Sequence, residues 1–329
     1  MNVLEKLVQK QNLTSAEVEQ MTDHMVDGTY TDAQTAAILV ALKMKGEKEE
    51  EIAALARAMR RHSISINLEG KELVDSCGTG GDSTHTFNVS TTAALIAAGA
   101  GVAIAKHGNR SVSSKCGSAD VLEMLGVKML EPDLAKKCIQ QTNFGFLYAP
   151  LYHPAFKKLA PIRSQIGIRT VFNILGPLLN PANAQYQLMG VYEPLLAQKM
   201  ANVLQLLGTK HALVVHSNGM DEISLGKTLC FDVRNGKTSK YTVNARDFGF
   251  SEQQIPSVQS KEESSKIIEG ILSGQKGAAR DISLLNAGAL VYVSGKTKSI
   301  EEGVAFAREA VDSGAVMKKL EELRAFGES

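Results

Sequence analysis

Three short stretches of this chain carry residue types that could do chemistry on an anion. The first is Gly78-Thr79-Gly80-Gly81-Asp82, three glycines in four positions behind the apolar start Leu73-Val74. Glycine reaches positive φ and lets backbone amides close on a ligand, so the loop suits phosphate as well as it suits a plain tight turn. It matches neither GxGxxG nor GxxxxGK[ST], so it is not a dinucleotide or nucleoside-triphosphate loop of the common kinds. The second is Lys106-His107-Gly108-Asn109-Arg110, behind Val102-Ala103-Ile104-Ala105 and ahead of Ser111, Ser113, Ser114 and Ser118. Cations and hydroxyls together make charge-assisted bonds to phosphate oxygens. A solvated charge cluster is the plainer alternative. The third is the acidic pair Asp221-Glu222. Neighbouring side chains in an extended segment point opposite ways, so the pair would hold two Mg²⁺ ions, or one through waters. Most such pairs are solvated turns.

Further residues lie close to these in sequence. Asn88-Val89-Ser90-Thr91 precedes an alanine-rich run. Ser90 reads as its N-cap; the free amides there suit phosphate, and the hydroxyl suits a metal ion. Arg163 and Arg169 are six residues apart, too far out of phase for one helical face, so they should have different jobs. A guanidinium grips a carboxylate with two parallel hydrogen bonds. His107 and His153 are near these segments, but a lone histidine is more often structural, and neither is given an acid–base role.

For the glycine loop and the cationic loop to meet, two strands of one sheet must end side by side, with the alanine-rich helix between them. That is the arrangement that holds phosphate at the carboxyl ends of strands. From residue 73 on, apolar runs alternate with helical patterns. Strands are expected near 73–77, 102–105, 127–130, 144–149, 187–192, 212–216 and 289–293, with a hairpin at Arg234-Asn235-Gly236. Helices are expected over 119–125, from Pro132, and from Pro194 to Gly208. The alternation implies α/β architecture with a mostly parallel sheet covered on both faces.

Residues 1–62 read as all-helical. Leu4, Leu7 and Val8 share a face, Thr14 and Glu17 form a capping box, and Gly28 stops the second helix. The stretch 32–42 is apolar on nearly every side, with Ala33, Ala36, Ala37 and Ala41 permitting close approach. Internal packing and dimerisation both fit it. Residues 63–72 read as a polar linker.

The composition excludes several classes. The formal net charge of the 329 residues is +1, tryptophan is absent and aromatics are 5%. There is no global field to draw in nucleic acid or an anionic membrane, and no platform for stacking bases. The four cysteines form no CxxC pair, which argues against a zinc site and for a reducing compartment. No apolar run approaches the ~18 residues of a membrane span, and charges interrupt the first residues. A cytoplasmic protein is expected.

Taken together, DSCGTGGDSTHTFNVST (75–91), KHGNRSVSSKCGSADVLEMLG (106–126), the stretch 149–182, the acidic pair and RDISLLNAGALVY (280–292) resemble the anthranilate phosphoribosyltransferases of tryptophan biosynthesis. The resemblance runs along nearly the whole chain. It implies a small helical domain, residues 1–66 joined in space by helical parts of about 163–185, and an α/β domain over 70–329. This is the nucleoside phosphorylase/phosphoribosyltransferase fold, in a homodimer that meets through the helical domains. It implies that the amine of anthranilate attacks C1 of 5-phosphoribosyl 1-diphosphate and that diphosphate leaves with Mg²⁺, two ions being expected. Carried over by position, Gly78, Gly81, Asp82, Thr86, Asn88, Val89, Ser90 and Thr91 hold the sugar diphosphate. Lys106, His107, Gly108, Asn109, Arg110, Ser111, Val112, Ser113, Ser114 and Ser118 complete that pocket. Ser90, Asp221 and Glu222 serve the metal, and Gly78, Asn109 and Arg163 contact anthranilate. A pyrimidine nucleoside phosphorylase shares the fold but would show a loop closer to KHSTGGVGD. A nucleic-acid-binding relative without the chemistry would show a basic surface and a broken site.

Overall fold

The computed structural model describes residues 2–80, 86–110 and 116–326. The chain opens with four helices, α1 (Val3–Val8), α2 (Ser15–Asp27), α3 (Asp32–Lys45) and α4 (Glu49–Arg61). Asn2, Thr14 and Thr31 cap the first three, each in a reciprocal box with Glu5, Glu17 or Gln34. The four pack on one another and on the helix Pro154–Ile166, which contributes Ala155, Leu159 and Ile162 to a shared core.

Seven strands form one sheet: β1 (Val74–Gly78), β2 (Ile104–Gly108), β3 (Phe144–Tyr148), β4 (Tyr186–Gly190), β5 (His211–His216), β6 (Lys227–Arg234) and β7 (Lys237–Asn244). Their spatial order is β3-β2-β1-β4-β5-β6-β7. The first five are parallel, and β6 and β7 add an antiparallel hairpin whose turn residues Asn235 and Gly236 both take positive φ. Alternate residues feed opposite faces. Leu213 and Val215 join the core under helix α5 (Val89–Gly99), whereas Ala212 and Val214 join the core shared with the N-terminal helices. The chain passes from β1 to β2 and β3 on one side, then returns to lay β4 on the other side of β1. Gly78 and Gly190, at the carboxyl ends of β1 and β4, are register partners across that reversal. Open α/β sheets form their ligand crevice at such a point.

Several expectations are corrected. Residues 127–130 form no strand. Residues 289–293 end the helix Ala278–Val293, which is apolar around most of its circumference because it lies deep in the core. The second strand runs further than the apolar run, so Lys106 and His107 are strand residues. The segment 63–72 is not simply polar. Ile66 and Leu68 are buried, Ile64 N donates to Tyr152 O (2.8 Å), and Ile66 N donates to Pro181 O (2.9 Å).

Candidate active site

The glycine loop is shaped by what lies against it. After β5, Ser217-Asn218-Gly219-Met220 makes a tight turn, with Asn218 and Gly219 at positive φ and paired backbone bonds between Ser217 and Met220. The turn delivers Asp221 to the carboxyl edge of the sheet, where its Oδ2 accepts Gly80 N at 3.1 Å. A Cβ on Gly78 would stand 2.2 Å from that same Oδ2, and one on Gly190 would stand 1.5 Å from the Asp221 carbonyl oxygen. A side chain at position 190 would collide with the Asp221 backbone, and one at position 78 would have to push the Asp221 carboxylate aside. The acidic pair is fixed through its backbone. Ser217 Oγ donates to Glu222 O (2.8 Å), and the Asn286 amide pairs with Ile223 N (3.0 Å) and O (2.8 Å).

The cationic side of the crevice is buried. Lys106 is 2% exposed, and its Nζ donates to Ser76 O and, at 3.3 Å, to Ser90 Oγ. Ser90 is not the N-cap of α5. Asn88 holds that place, its Oδ1 accepting Thr91 N, and this leaves the Ser90 hydroxyl to Lys106. Beneath them Asp75 is wholly buried, accepting His107 N (3.1 Å) and Gln187 Nε2 (3.3 Å). Burial lowers the Lys106 ammonium from the usual lysine range, while Asp75, Glu222 and Asp221 oppose it. Burial likewise raises the Asp75 carboxyl, against the pull of its hydrogen bonds and of Lys106.

From His107 an aromatic ladder crosses to Arg163. The two Nε2 atoms of His107 and His153 meet at 3.1 Å. His153 packs edge-on against Phe156, and Phe156 against Phe172. The Arg163 guanidinium lies 5.9 Å from the Phe156 ring centre and 5.5 Å from that of Phe172. Burial lowers Arg163. Among the described residues its only side-chain partners are those two rings. A flat ring bearing an anionic group fits such a wall. Burial also pushes His107 down to about 3 and His153 to about 4, so both are neutral near pH 7. Arg169 instead lies over the Tyr192 ring, at 4.9 Å from its centre.

A model of the glycosyl transferase family a/b domain matches residues 70–317, and one of the family's helical bundle domain matches residues 1–63. The anthranilate phosphoribosyltransferase of Petrotoga mobilis is 48% identical over 98% of this chain and 95% of its own. That of Symbiobacterium thermophilum is 47% identical over 98% and 96%. The chain belongs to the anthranilate phosphoribosyltransferase family. Among solved structures of the family, that from Thermus thermophilus superposes with a TM-score of 0.95 at 40% identity, covering 100% of both chains. The Saccharomyces cerevisiae enzyme in complex with PRPP and Mg has a TM-score of 0.89 at 29% identity, covering 99% and 96%. The helical bundle followed by an α/β domain with a mostly parallel sheet is the family architecture expected from sequence.

Within this family fold, Gly78, Ser90, Lys106, Asp221 and Glu222 come together at the carboxyl ends of β1, β2 and β4. Asn88 and Thr91 form the start of α5, Val89 has its side chain in the core, and Thr86 pairs with Ser257. Asn109 Oδ1 accepts Arg110 N at 2.7 Å, and its carbonyl accepts Ser118 Oγ (3.4 Å). The Arg110 guanidinium is held by Asp120 and Glu123. Gly81, Asp82, Ser111, Val112, Ser113 and Ser114 lie outside the described residues. Asp75, Gln187, Gly190, Asn286 and the ladder residues Phe156 and Phe172 escaped sequence reading. The one available signal was Phe-x6-Arg, which places Phe156 and Arg163 two turns apart on one helix face.

Proposed function

We propose that this protein is a Mg²⁺-dependent pentosyltransferase that joins the phosphoribosyl group of 5-phospho-α-D-ribose 1-diphosphate to the amine of anthranilate, releasing diphosphate, in tryptophan biosynthesis. The observation that carries the reading is the meeting of the acidic pair with the glycine loop, Asp221 on Gly78 and Gly80, beside the buried Lys106. In this reading Gly78, Gly81, Asp82, Thr86, Asn88 to Thr91, residues 106–114 and Ser118 bind the sugar diphosphate. Gly78, Asn109 and Arg163 bind anthranilate.

Ser90, Asp221 and Glu222 are assigned to the metal. Among the described residues no three His, Cys, Asp or Glu side chains gather around one point. One hydroxyl and two carboxylates suit Mg²⁺, which keeps waters and takes its remaining oxygens from substrate phosphates. Two ions are proposed because the pair offers two separate carboxylates, Asp221 and Glu222. When bound, Mg²⁺ neutralises charge on the departing diphosphate.

Lys106 supplies a cation in a water-poor crevice, where its pull on developing negative charge is strongest. Arg163 orients the carboxylate of the aromatic amine, and the neutral His107–His153 pair leaves positive charge to Lys106 and Arg163. Holding the amine against C1 supplies an entropic advantage. An aromatic amine is a free base at neutral pH, so the site needs no strong general base. The test is the loss of anthranilate fluorescence on mixing enzyme, PRPP and Mg²⁺. Unchanged fluorescence with well-folded enzyme refutes the assignment.

We further propose division into a helical domain, 1–66 with about 163–185, and an α/β domain, 70–329. We also propose a homodimer through the former. Ala33, Ala37 and Met44 are exposed along α3, Met44 by 76%, and Val8 of α1 is 69% exposed, an apolar stripe that a second copy would cover. Light scattering of Met44→Glu should show a monomer if this is right. No helix among the described residues is long and apolar enough to cross a membrane. All four cysteines are free thiols, in keeping with a cytoplasmic enzyme.

A further inference from the structure

The short helix Ser118–Met124 rests on the residues at the end of β2. Ala119 N and Ser118 Oγ both donate to Asn109 O, at 3.3 and 3.4 Å. A Cβ on Gly108 would stand 2.4 Å from Ser118 Oγ and 2.8 Å from a Phe146 ring carbon, so glycine leaves room for both side chains. Asp120 then ties the N-cap of its own helix to a residue just past β2. Its Oδ1 accepts Arg110 Nη1 at 3.0 Å, and its Oδ2 accepts Gly117 N at 3.0 Å. Glu123, nearly one turn on, takes the same guanidinium in a fork, Oε2 from Nη1 at 2.7 Å and Oε1 from Nη2 at 2.5 Å. The Tyr148 ring at the end of β3 lies 5.8 Å from the guanidinium carbon.

Arg110 is thereby committed on two sides although its side chain is 44% exposed. A lone surface ion pair carries little energy, but a fork shared by two carboxylates also fixes direction. The charges matter as well. Asp120 and Glu123 stand beside a crevice that Lys106 makes attractive to a polyanion, and without Arg110 they would repel it. With Arg110 in the fork, one of their two charges is cancelled where it stands.

We propose that Asp120 and Glu123 are positioning residues for the sugar diphosphate. They set Arg110, and with it the backbone of residues 108–110, and they govern affinity for the donor without touching the reacting atoms. This rests on the phosphoribosyl-diphosphate reading of the site. The test compares wild type, Glu123→Gln, Asp120→Asn, Arg110→Met and the double variant Arg110→Met/Glu123→Gln in steady-state kinetics. Asp120→Asn keeps an acceptor for Gly117 N, and Glu123 lies on the surface, so both variants should fold.

Glu123→Gln should raise the KM for PRPP about fivefold while kcat and the anthranilate KM stay within about twofold. Added to Arg110→Met it should bring no further loss, and by removing a charge that then repels the donor it should restore part of the affinity. An unchanged donor KM in Glu123→Gln, or fully multiplicative effects in the double variant, would overturn the proposal. Calorimetric titration of PRPP with Mg²⁺ into the wild type separates the two ideas. No donor binding there removes the reading of the whole site, and the proposal with it. Wild-type binding alongside indifferent variants removes only the role of Asp120 and Glu123.

Discussion

Asp221 fills the space that side chains on Gly78 and Gly190 would need, with its Oδ2 2.2 Å from one ideal Cβ position and its carbonyl oxygen 1.5 Å from the other. The two glycines are partners in adjacent strands, so a single residue covers the point where the sheet reverses direction. The Gly190 contact is with backbone, which cannot swing away. Gly190→Ala must therefore displace Asp221 together with Glu222. It should weaken Mg²⁺-dependent donor binding by more than tenfold, on the scale of ~1.4 kcal/mol or more, and lower thermal stability. Donor titration and a melting curve check it; wild-type values in both would mean that Asp221 yields without consequence.

The acidic pair itself should set the metal requirement. Asp221→Asn with Glu222→Gln keeps size and backbone packing, since Ser217 and Asn286 grip the segment through main-chain atoms. The Mg²⁺ concentration for half-maximal activity should rise by about tenfold or more, with little change in melting temperature. An unaltered metal titration would take both residues out of the site.

Much of this was legible in the sequence. The glycine loop, the cationic segment and the acidic pair were visible because glycine clusters and charges next to apolar runs are unusual locally, and the β–α alternation gave the sheet. The partners of those groups were not visible. Nothing near Gln187 in sequence says that its amide meets Asp75 and Pro177 O across the sheet, and Gly190 reads as an ordinary strand end until Asp221 is seen against it. Ser90 was misread as an N-cap because Asn88, two residues earlier, is an equally good one, and only the Lys106 contact decides between them. The 289–293 error has a similar origin, for a short apolar run has no period that separates strand from buried helix.

Arg163 offers a test of substrate orientation. Its guanidinium lies against the edge-to-face pair of Phe156 and Phe172 and is half-buried. Arg163→Ala should raise the KM for anthranilate about thirtyfold, roughly 2 kcal/mol for lost charge-assisted bonds, with a much smaller effect on the KM for PRPP. Arg163→Lys should recover only part of this, because a lysine keeps the charge but neither the fork nor the stacking plane. Equal effects on both substrates would contradict the assignment.

In the helical domain, Glu51 of α4 ties three segments together. It accepts Leu13 N and Lys48 N, each at 2.8 Å, and pairs with Lys45 Nζ at 2.6 Å, and both charged side chains are 2% exposed. Glu51→Gln leaves the Lys45 ammonium with only Asn12 Oδ1 and Gly46 O as acceptors and no charge partner, and turns an amide donor toward a backbone donor. The expected loss is about 3 kcal/mol. Lys45→Met with Glu51→Leu should cost less than either single change, because it removes both charges at once. Denaturant melts of Glu51→Gln, Lys45→Met, Glu51→Leu and the double variant decide it, and a mild Glu51→Gln would mean that water reaches the pair.

The His107–His153 contact predicts how the fold responds to acid. Both rings are buried, with folded-state values of about 3 and about 4 against the usual 6.5. An unfolded chain would therefore take up protons on both as pH falls below about 6.5, while the folded chain refuses them until near pH 4. Between those limits the unfolded state binds more protons, so stability rises with pH. The contribution is complete above pH 6.5, falls as pH drops through the window, and is gone below the folded values. The melting temperature should accordingly decline from pH 6.5 to pH 4, and His153→Phe, which keeps a ring between His107 and Phe156, should flatten that decline by removing one of the two titrations. A His153→Phe profile parallel to the wild type's would show that the acid limb comes from other groups.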